Sequence, residues 1–152
     1  MANYDMLTEL LDLSHVRVTH YQLVGKHRLN LLVESTLEAA VCPNCQQVSL
    51  VAHDASEPQM LRDLPIWNRR CWLQYAPRRF KCATCENTFA ERVLWREPGV
   101  DYTVRYEHFI YERARREPLA QIAQTEGLSE DQVQGIFERG AKKQLPSAAT
   151  RA

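Results

Sequence analysis

The chain has 152 residues, of which 45% are hydrophobic and 25% charged, a composition typical of a globular protein with one domain or two small ones. Its net charge is zero, but residues 62–96 contain eight basic and three acidic side chains, a local excess of five positive charges. No apolar run approaches the ~20 residues of a membrane span, and the N-terminal residues lack a secretory signal pattern, so we expect no membrane partner.

Residues 1–41 are predicted to form a lead-in to the rest of the chain. Its elements are a short helix at residues 6–11, strands at 16–23 and 28–36, and a hairpin turn at Gly25-Lys26-His27. The second strand is expected to continue through residue 41. We interpret the lead-in as scaffold, with a strand edge that binds a partner as the alternative.

Two Cys-x-x-Cys knuckles are the strongest signal in the sequence. They are Cys42-Pro43-Asn44-Cys45 and Cys82-Ala83-Thr84-Cys85. Four thiolates in two such turns close a tetrahedron around one zinc ion. The alternatives are a redox pair, an iron–sulfur site or a chance spacing, and no thioredoxin-like βαβ context favours redox chemistry. Because four sulfur ligands leave no position for water, the zinc ion is expected to be structural.

Residues 42–97 are predicted to form a zinc ribbon around these knuckles. A strand is expected at residues 48–53 and a loop at 55–58, and residues 60–66 lead to a turn near residues 67–70. The aromatic-rich residues 71–80 enter the second knuckle, and residues 88–93 leave it. Cys71, the fifth cysteine, is interpreted as a small buried hydrophobe rather than a ligand. His53 could replace a cysteine ligand, but we expect a strand or surface histidine.

A helix-turn-helix unit is predicted at residues 101–143, followed by a flexible tail at 144–152. The first helix is expected at about 103–116, the second from Pro118 to near Gly127, and the third after Ser129, which Gln132 completes as a capping box. The template positions of the motif are filled by Ala123, Gly127, Leu128, Val133 and Ile136. A plain three-helix packing module is the alternative. The predicted fold class is therefore α+β.

Candidate DNA contacts fall in both predicted parts. In the ribbon, basic residues interleave with aromatic ones, which are core residues or stacking platforms. On the third helix, glutamines suit base edges and cations suit phosphates, whereas Glu130 and Asp131 oppose phosphate contact. The candidates are Arg69, Arg70, Arg78, Arg79 and Lys81 in the ribbon, and Ser129, Gln132, Gln134, Arg139, Lys142 and Lys143 on the helix.

Four segments together resemble the N-terminus of bacterial insertion-sequence transposases of the ISL3 type. They are Cys42-Pro43-Asn44-Cys45, Leu61-Arg62-Asp63-Leu64-Pro65, Arg78-Arg79-Phe80-Lys81-Cys82 and Thr88-Phe89-Ala90-Glu91-Arg92. The resemblance covers about residues 10–143. It implies that a hairpin and zinc ribbon precede a helix-turn-helix, that the four cysteines bind zinc, and that residues 118–143 read the terminal inverted repeats of the element.

The family places a DDE-type catalytic domain after these modules, and the chain ends at residue 152 without an evident carboxylate triad. We therefore expect a cytoplasmic, nucleoid-associated binder of double-stranded DNA that is not itself an enzyme. It would be an excised region, a truncated product or an adapted relative. Its further partners would be the full-length transposase or a second copy. The alternative function is a protein-interaction adaptor or inhibitor module.

Overall fold

A computed structural model describes residues 3–50 and 52–144, and its fold class is α+β as predicted. The chain divides into two compact units, Met1–Thr103 and Val104–Ala152. No helix in the described part of the chain is long and apolar enough to cross a bilayer. The predicted tail at 144–152 lies outside the described residues, apart from Gln144 at the end of the last helix.

The first unit contains one helix and nine strands among its described residues. They are α1 (Asp5–Leu11), β1 (Val16–Val24), β2 (Arg28–Ser35), β3 (Ala40–Val41), β4 (Val48–Ser49), β5 (Ala52–Ala55), β6 (Gln59–Ile66), β7 (Arg69–Ala76), β8 (Arg78–Lys81) and β9 (Thr88–Ala90). The strand predicted to run from β2 to residue 41 is instead interrupted after Ser35, and β3 belongs to a separate sheet.

A four-stranded sheet with the order β1-β2-β7-β6 organises this unit. β1 and β2 pair antiparallel, as do β6 and β7, but the central β2 and β7 are parallel, in register from Arg28 opposite Arg70 to Glu34 opposite Ala76. The lead-in and the segment between the knuckles therefore share one sheet. The sequence patterns did not predict this long-range pairing.

The core of the unit lies on the face of the sheet formed by alternate residues of each strand. In β2 and β7 the odd-numbered positions are buried, from Leu29 and Leu31 to Leu73 and Tyr75. Cys71 is fully buried in this core, as predicted. The ring of Trp95 packs edge-on against Tyr75 with centroids 5.0 Å apart and closes the core.

Two small sheets carry the chain away from the core sheet. β3 pairs antiparallel with β4, and the order of the other sheet is β5-β8-β9. Because β2 and β7 are parallel, both end at the same edge of the large sheet. Cys42 lies seven residues after the end of β2 with β3 between, and Cys82 lies six residues after the end of β7 with β8 between. The sheet therefore delivers both knuckles to one place.

The second unit contains helices α2 (Val104–Ala114), α3 (Leu119–Glu126) and α4 (Glu130–Gln144) in its described residues. Tyr106, Ile110, Ile122, Val133 and Ile136 are fully buried between them. The helices thus bury the apolar faces that their 3.6-residue periodicity predicted. Observed helix ends differ from the predicted ones by one or two residues.

The connection between α3 and α4 has the predicted turn chemistry. Gly127 ends α3 with φ of 69°, a left-handed conformation that glycine adopts without steric cost. The N–H of Leu128 then donates to the carbonyl of Ala123 (3.0 Å). Ser129 Oγ accepts from the N–H of Gln132 (3.0 Å), and Gln132 Oε1 accepts from the N–H of Ser129 (2.9 Å). The predicted capping box is confirmed.

Candidate metal centre and nucleic-acid interface

Both knuckles have the same backbone conformation. In the first, the N–H of Cys42 donates to the carbonyl of Gln47 (2.8 Å), and the N–H of Gln46 donates to the carbonyl of Cys42 (2.9 Å). The second knuckle has the same two bonds at the equivalent positions, also at 2.8 and 2.9 Å. Gln46 and Glu86 follow the last cysteine of each knuckle, and both have positive φ, of 67° and 63°. These tight turns direct the sulfur atoms of each pair to the same side.

The four Sγ atoms lie within 4.8 Å of one another. Across the two knuckles, the sulfur atoms of Cys42 and Cys85 are 3.6 Å apart, and those of Cys45 and Cys82 are 3.4 Å apart. A tetrahedron with Zn–S distances of about 2.3 Å has sulfur atoms about 3.8 Å apart, whereas a disulfide requires about 2.05 Å. The residues therefore fit a single closed zinc site with four cysteine ligands.

The surroundings of the thiols favour thiolates at two of the four positions. Burial acts to raise the pKa of Cys42, but hydrogen bonds from the backbone N–H groups of Cys45 and Asn44 and from neighbouring side chains lower it to about 6. Backbone N–H groups, first that of Cys85, likewise lower the pKa of Cys82. The folded chain therefore favours the thiolate form of Cys42 and Cys82, which is the form that binds a cation.

Cys45 has the opposite shift. The N–H of Gln47 acts to lower the pKa of Cys45, but the adjacent Cys82 sulfur and burial raise it to about 12. A cluster of four thiolates without a cation is unfavourable because like charges repel. Zinc binding must therefore displace a proton from Cys45.

His53 and Cys71 are not part of the cluster. His53 lies in β5 with its side chain about half exposed, next to Asp54, and the metal-ligand cluster found among the described residues consists of the four cysteines. The prediction of a strand or surface histidine is confirmed.

Glu91 connects the zinc-bearing strands to the core sheet. Its carboxylate is 6% exposed and accepts from Ser35 Oγ (2.6 Å), from the Tyr75 hydroxyl (2.8 Å) and from the N–H of Arg78 (2.8 Å). These donors belong to β2, β7 and β8. Glu91 therefore fixes the edge from which both knuckles extend.

The predicted ribbon contacts of β8 differ in their surroundings. The Arg78 guanidinium donates to two backbone carbonyls, at the end of β2 and just beyond it. Arg79 forms an ion pair with Asp54, with Nε and Oδ1 3.3 Å apart. Lys81 is exposed beside the second knuckle. Of these three side chains, that of Arg78 connects β8 to the end of β2 and so has a structural role.

The two predicted contacts of β7 lie at its first residues. The Arg69 guanidinium donates to the carbonyl of Gly25 (3.0 Å), and the backbone N–H of Arg70 donates to the carbonyl of His27 (2.8 Å). Both arginines are therefore at the opposite end of β7 from the knuckles, so the structure does not bring all five ribbon candidates together.

The predicted contacts on α4 fall into two groups. Ser129 and Gln132 form the capping box, and Arg139 donates to the buried carboxylate of Glu107 on α2 through Nε (2.9 Å) and Nη2. Gln134 is exposed and donates to Glu138 (2.9 Å). The last turn presents the exposed cations Lys142 and Lys143.

Sequence reasoning missed the buried carboxylates. Asp63 is 1% exposed and accepts from the Thr103 hydroxyl (2.8 Å), and Glu107 is 5% exposed. Glu91 and Asp63 lie in two of the segments that carry the family resemblance, Thr88-Phe89-Ala90-Glu91-Arg92 and Leu61-Arg62-Asp63-Leu64-Pro65. The available signal was a charged residue among apolar or aromatic ones, in these two segments for Asp63 and Glu91 and in a helix for Glu107.

Two knuckles whose four cysteines fit one zinc ion, together with two helices joined by a tight turn, place the protein in the zinc-ribbon and helix-turn-helix class. Residues 38–85 match the family model for the zinc-finger of transposase IS204/IS1001/IS1096/IS1165. Residues 91–141 match the model for the helix-turn-helix domain of transposase family ISL3.

The two matches cover 48 and 51 residues, or 99 of the 152. The chain therefore belongs to the ISL3 transposase family, in which it corresponds to the zinc-ribbon and helix-turn-helix region. The predicted family and the single zinc ion held by Cys42, Cys45, Cys82 and Cys85 are confirmed. No curated protein and no solved structure matches the chain.

Proposed function

We propose that this protein recognises the terminal inverted repeats of an insertion element through α4, while zinc holds the ribbon that contacts the DNA backbone. The observation that supports this most is α4 itself. It follows a glycine turn and a capping box, and it lies within the residues that match the helix-turn-helix family model.

The exposed side of α4 carries the proposed base contacts. Asp131, Gln134 and Glu138 lie opposite the buried Val133 and Ile136. Glutamine pairs with adenine through two hydrogen bonds, and carboxylates accept from the amino group of cytosine. We assign the central reading role to Gln134, because its side chain and its hydrogen-bond partner Glu138 are both exposed, whereas Gln132 completes the capping box and Arg139 binds the buried Glu107.

Phosphate contacts are assigned to the cations at the end of α4 and on the ribbon. Lys142 and Lys143 lie in the last turn of α4, away from the acidic first turn. Arg79 and Lys81 lie on β8 next to the second knuckle. The acidic start of α4 disfavours phosphates there, so the ribbon has to supply part of the affinity.

Zinc has a structural role in this proposal. Four protein sulfurs close the coordination shell and leave no position for a reacting water. The ion replaces a hydrophobic core for residues 38–50 and 78–90, where the strands are two to four residues long and exposed apolar side chains such as Val48 (64%) are present. Structural zinc contributes about 10–16 kcal/mol of apparent binding free energy in finger peptides.

A fluorescence anisotropy titration tests the proposal. The zinc-loaded protein is titrated with an element-end duplex and with a shuffled duplex of the same composition. We expect tighter binding to the element end, and we expect Gln134→Ala to reduce that preference by about 5- to 150-fold, the value of one bidentate base contact. The control is Gln22→Ala, which removes an exposed glutamine from β1. Equal affinity for both duplexes would contradict element-end recognition.

A protein-interaction module is the second candidate, and one observation favours it. Val41, Val48 and Leu50 surround the first knuckle and are 54%, 64% and 74% exposed. Such an apolar patch is typical of a protein interface. If the protein fails to bind either duplex but forms concentration-dependent oligomers, or binds the full-length transposase, this second function replaces the first.

A further inference from the structure

Two turns lie side by side at the edge of the large sheet that is opposite the zinc knuckles. Residues 25–27 join β1 to β2, and residues 67–68 join β6 to β7. The parallel register of β2 and β7 places Arg28 opposite Arg70. Hydrogen bonds connect the second turn to the first, since Arg69 and Arg70 donate to carbonyls of that turn at 3.0 and 2.8 Å. We call residues 25–28 and 67–70 the sheet end.

The sheet end is strongly cationic. It contains four basic residues, Lys26, Arg28, Arg69 and Arg70, and no acidic residue. The flanking sequence is also free of acidic residues, from position 24 to 30 and from 64 to 74. Such a local excess of positive charge favours a polyanion as the ligand.

A cation–π contact holds Arg28 at the sheet end, and the same ring contacts Arg62, which is buried at 4% exposure and adds no surface charge. The ring of Trp72 has two guanidinium groups over it, with the Cζ atom of Arg28 3.9 Å and that of Arg62 4.5 Å from the ring centroid. A cation–π contact holds a guanidinium group in place and leaves its charge intact. Trp72 therefore positions Arg28 at the sheet end.

Trp67 lies in the second turn of the sheet end. Its side chain is 93% exposed, and its φ of 53° is a conformation that large side chains rarely adopt. Ile66 pairs with Arg69, so Trp67 is the first residue of a two-residue hairpin turn, where glycine is usual for a positive φ. Neither burial nor turn propensity explains a tryptophan at this position. A flat aromatic ring among cations matches a nucleobase flanked by phosphates.

We infer that the sheet end is a second DNA contact, in which Lys26 and Arg69 neutralise phosphates and the Trp67 indole stacks on a base. The inference rests on the proposed function in taking DNA as the ligand, but it is independent of base reading by α4. The stacked base is either unpaired at a DNA end or partly unstacked within the duplex, since the same ring surface suits both.

Trp67→Ala and Trp67→Gly test the stacking contact, and glycine also fits the positive φ of the turn. Both variants should bind the element-end duplex at least about fivefold more weakly, which is the low end for loss of one stacked base. Leu94→Ala is the matched control, because Leu94 is 94% exposed and lies outside the sheet end. A loss confined to a duplex with a single-stranded overhang identifies an unpaired base, and an equal loss on a blunt duplex identifies an unstacked step.

The phosphate contacts are tested by salt dependence. Lys26→Gln with Arg69→Gln should reduce the magnitude of the negative slope of log affinity against log salt by about 1.8, which corresponds to two phosphates. Arg17→Gln, on the same sheet and paired with Glu34, should leave the slope unchanged. If the native protein binds DNA and the Trp67 and Lys26/Arg69 variants bind it equally well, the inference is overturned while the proposed function stands. If the native protein binds no DNA, the proposed function itself is overturned.

Discussion

At the scale of single residues, Glu91 connects three strands through one carboxylate. Its two oxygens accept hydrogen bonds from Ser35, Tyr75 and the backbone of Arg78, in a position that is almost closed to water. A buried acceptor that keeps all its donors stabilises the fold, whereas loss of the acceptor leaves the donors unsatisfied. This explains why a charged residue occupies the end of a ribbon strand.

Glu91→Gln should lower the free energy of unfolding by about 1–3 kcal/mol, because the new amide group faces donors instead of accepting from them. Urea unfolding of the zinc-loaded protein measures the change. Glu34→Gln is the control, since Glu34 is exposed and its surface ion pair with Arg17 contributes at most about 1 kcal/mol. Equal changes in the free energy of unfolding for the two substitutions would contradict the connecting role of Glu91.

The cysteines offer a second test at this scale. Cys82→Ser removes one zinc ligand, so the purified protein should contain far less than one equivalent of zinc, and residues 78–90 should lose amide-exchange protection. Cys71→Ala is the matched control, because Cys71 is equally buried but lies in the core sheet. It should destabilise the protein and still retain one equivalent of zinc. Full zinc content in the Cys82→Ser protein would contradict ligation by all four cysteines.

At the scale of elements, two glycines of α4 have opposite surroundings. A Cβ atom on Gly140 would lie 2.5 Å from the Tyr111 ring of α2, whereas a Cβ atom on Gly135 would meet a side-chain atom of Arg139 at 3.6 Å. Gly140 therefore permits the close approach of α4 to α2, and Gly135 has no such role.

Gly140→Ala should reduce stability by about 1–3 kcal/mol through overpacking. Gly135→Ala should increase stability by up to about 1 kcal/mol, because alanine has the higher helix propensity. Thermal unfolding of both variants, followed by circular dichroism, measures the difference. A stabilised Gly140→Ala protein would show that the packing of α4 on α2 is looser than described.

The local elements were predictable from the sequence, and their long-range pairing was not. Hairpin strands, the capping box after Gly127 and the zinc ligands follow from short-range patterns of turn residues, periodicity and cysteine spacing. The parallel pairing of β2 with β7 joins residues about forty positions apart, and nothing in either strand specifies its neighbour. Glu107, which lies among apolar residues of α2, was missed because its partner Arg139 comes from another helix.

At the scale of the whole molecule, zinc binding is coupled to pH. Metal binding requires four thiolates, and the pKa of about 6 at Cys42 against about 12 at Cys45 means that protons are displaced in separate ranges. The lowered pKa of Cys42 stabilises the folded state at higher pH, and this stabilisation is lost as the pH falls through about 6. The raised pKa of Cys45 has the opposite sign, and its contribution to stability is lost only as the pH rises towards about 12. Competition by protons for the thiolates and the lost stabilisation from Cys42 therefore both weaken zinc binding at low pH.

Zinc affinity should therefore fall continuously as the pH is lowered, and more steeply below about pH 6, where Cys42 also takes up a proton. Competition with a chromophoric chelator over a pH series measures the apparent affinity. The Cys71→Ala protein should give the same profile, because Cys71 is outside the cluster. An affinity that does not change with pH would contradict thiolate ligation.

The length of the parallel pairing between β2 and β7 determines the distance between the sheet end and the zinc-bearing edge of the sheet. Seven paired positions, from Arg28 opposite Arg70 to Glu34 opposite Ala76, separate the sheet end from the edge that leads to the metal. At about 3.3 Å per residue this is roughly 20 Å, or about six base pairs of B-form DNA at 3.4 Å each. If the sheet end and the knuckle edge both contact a bound duplex, hydroxyl-radical cleavage should show two groups of protected deoxyriboses with that spacing.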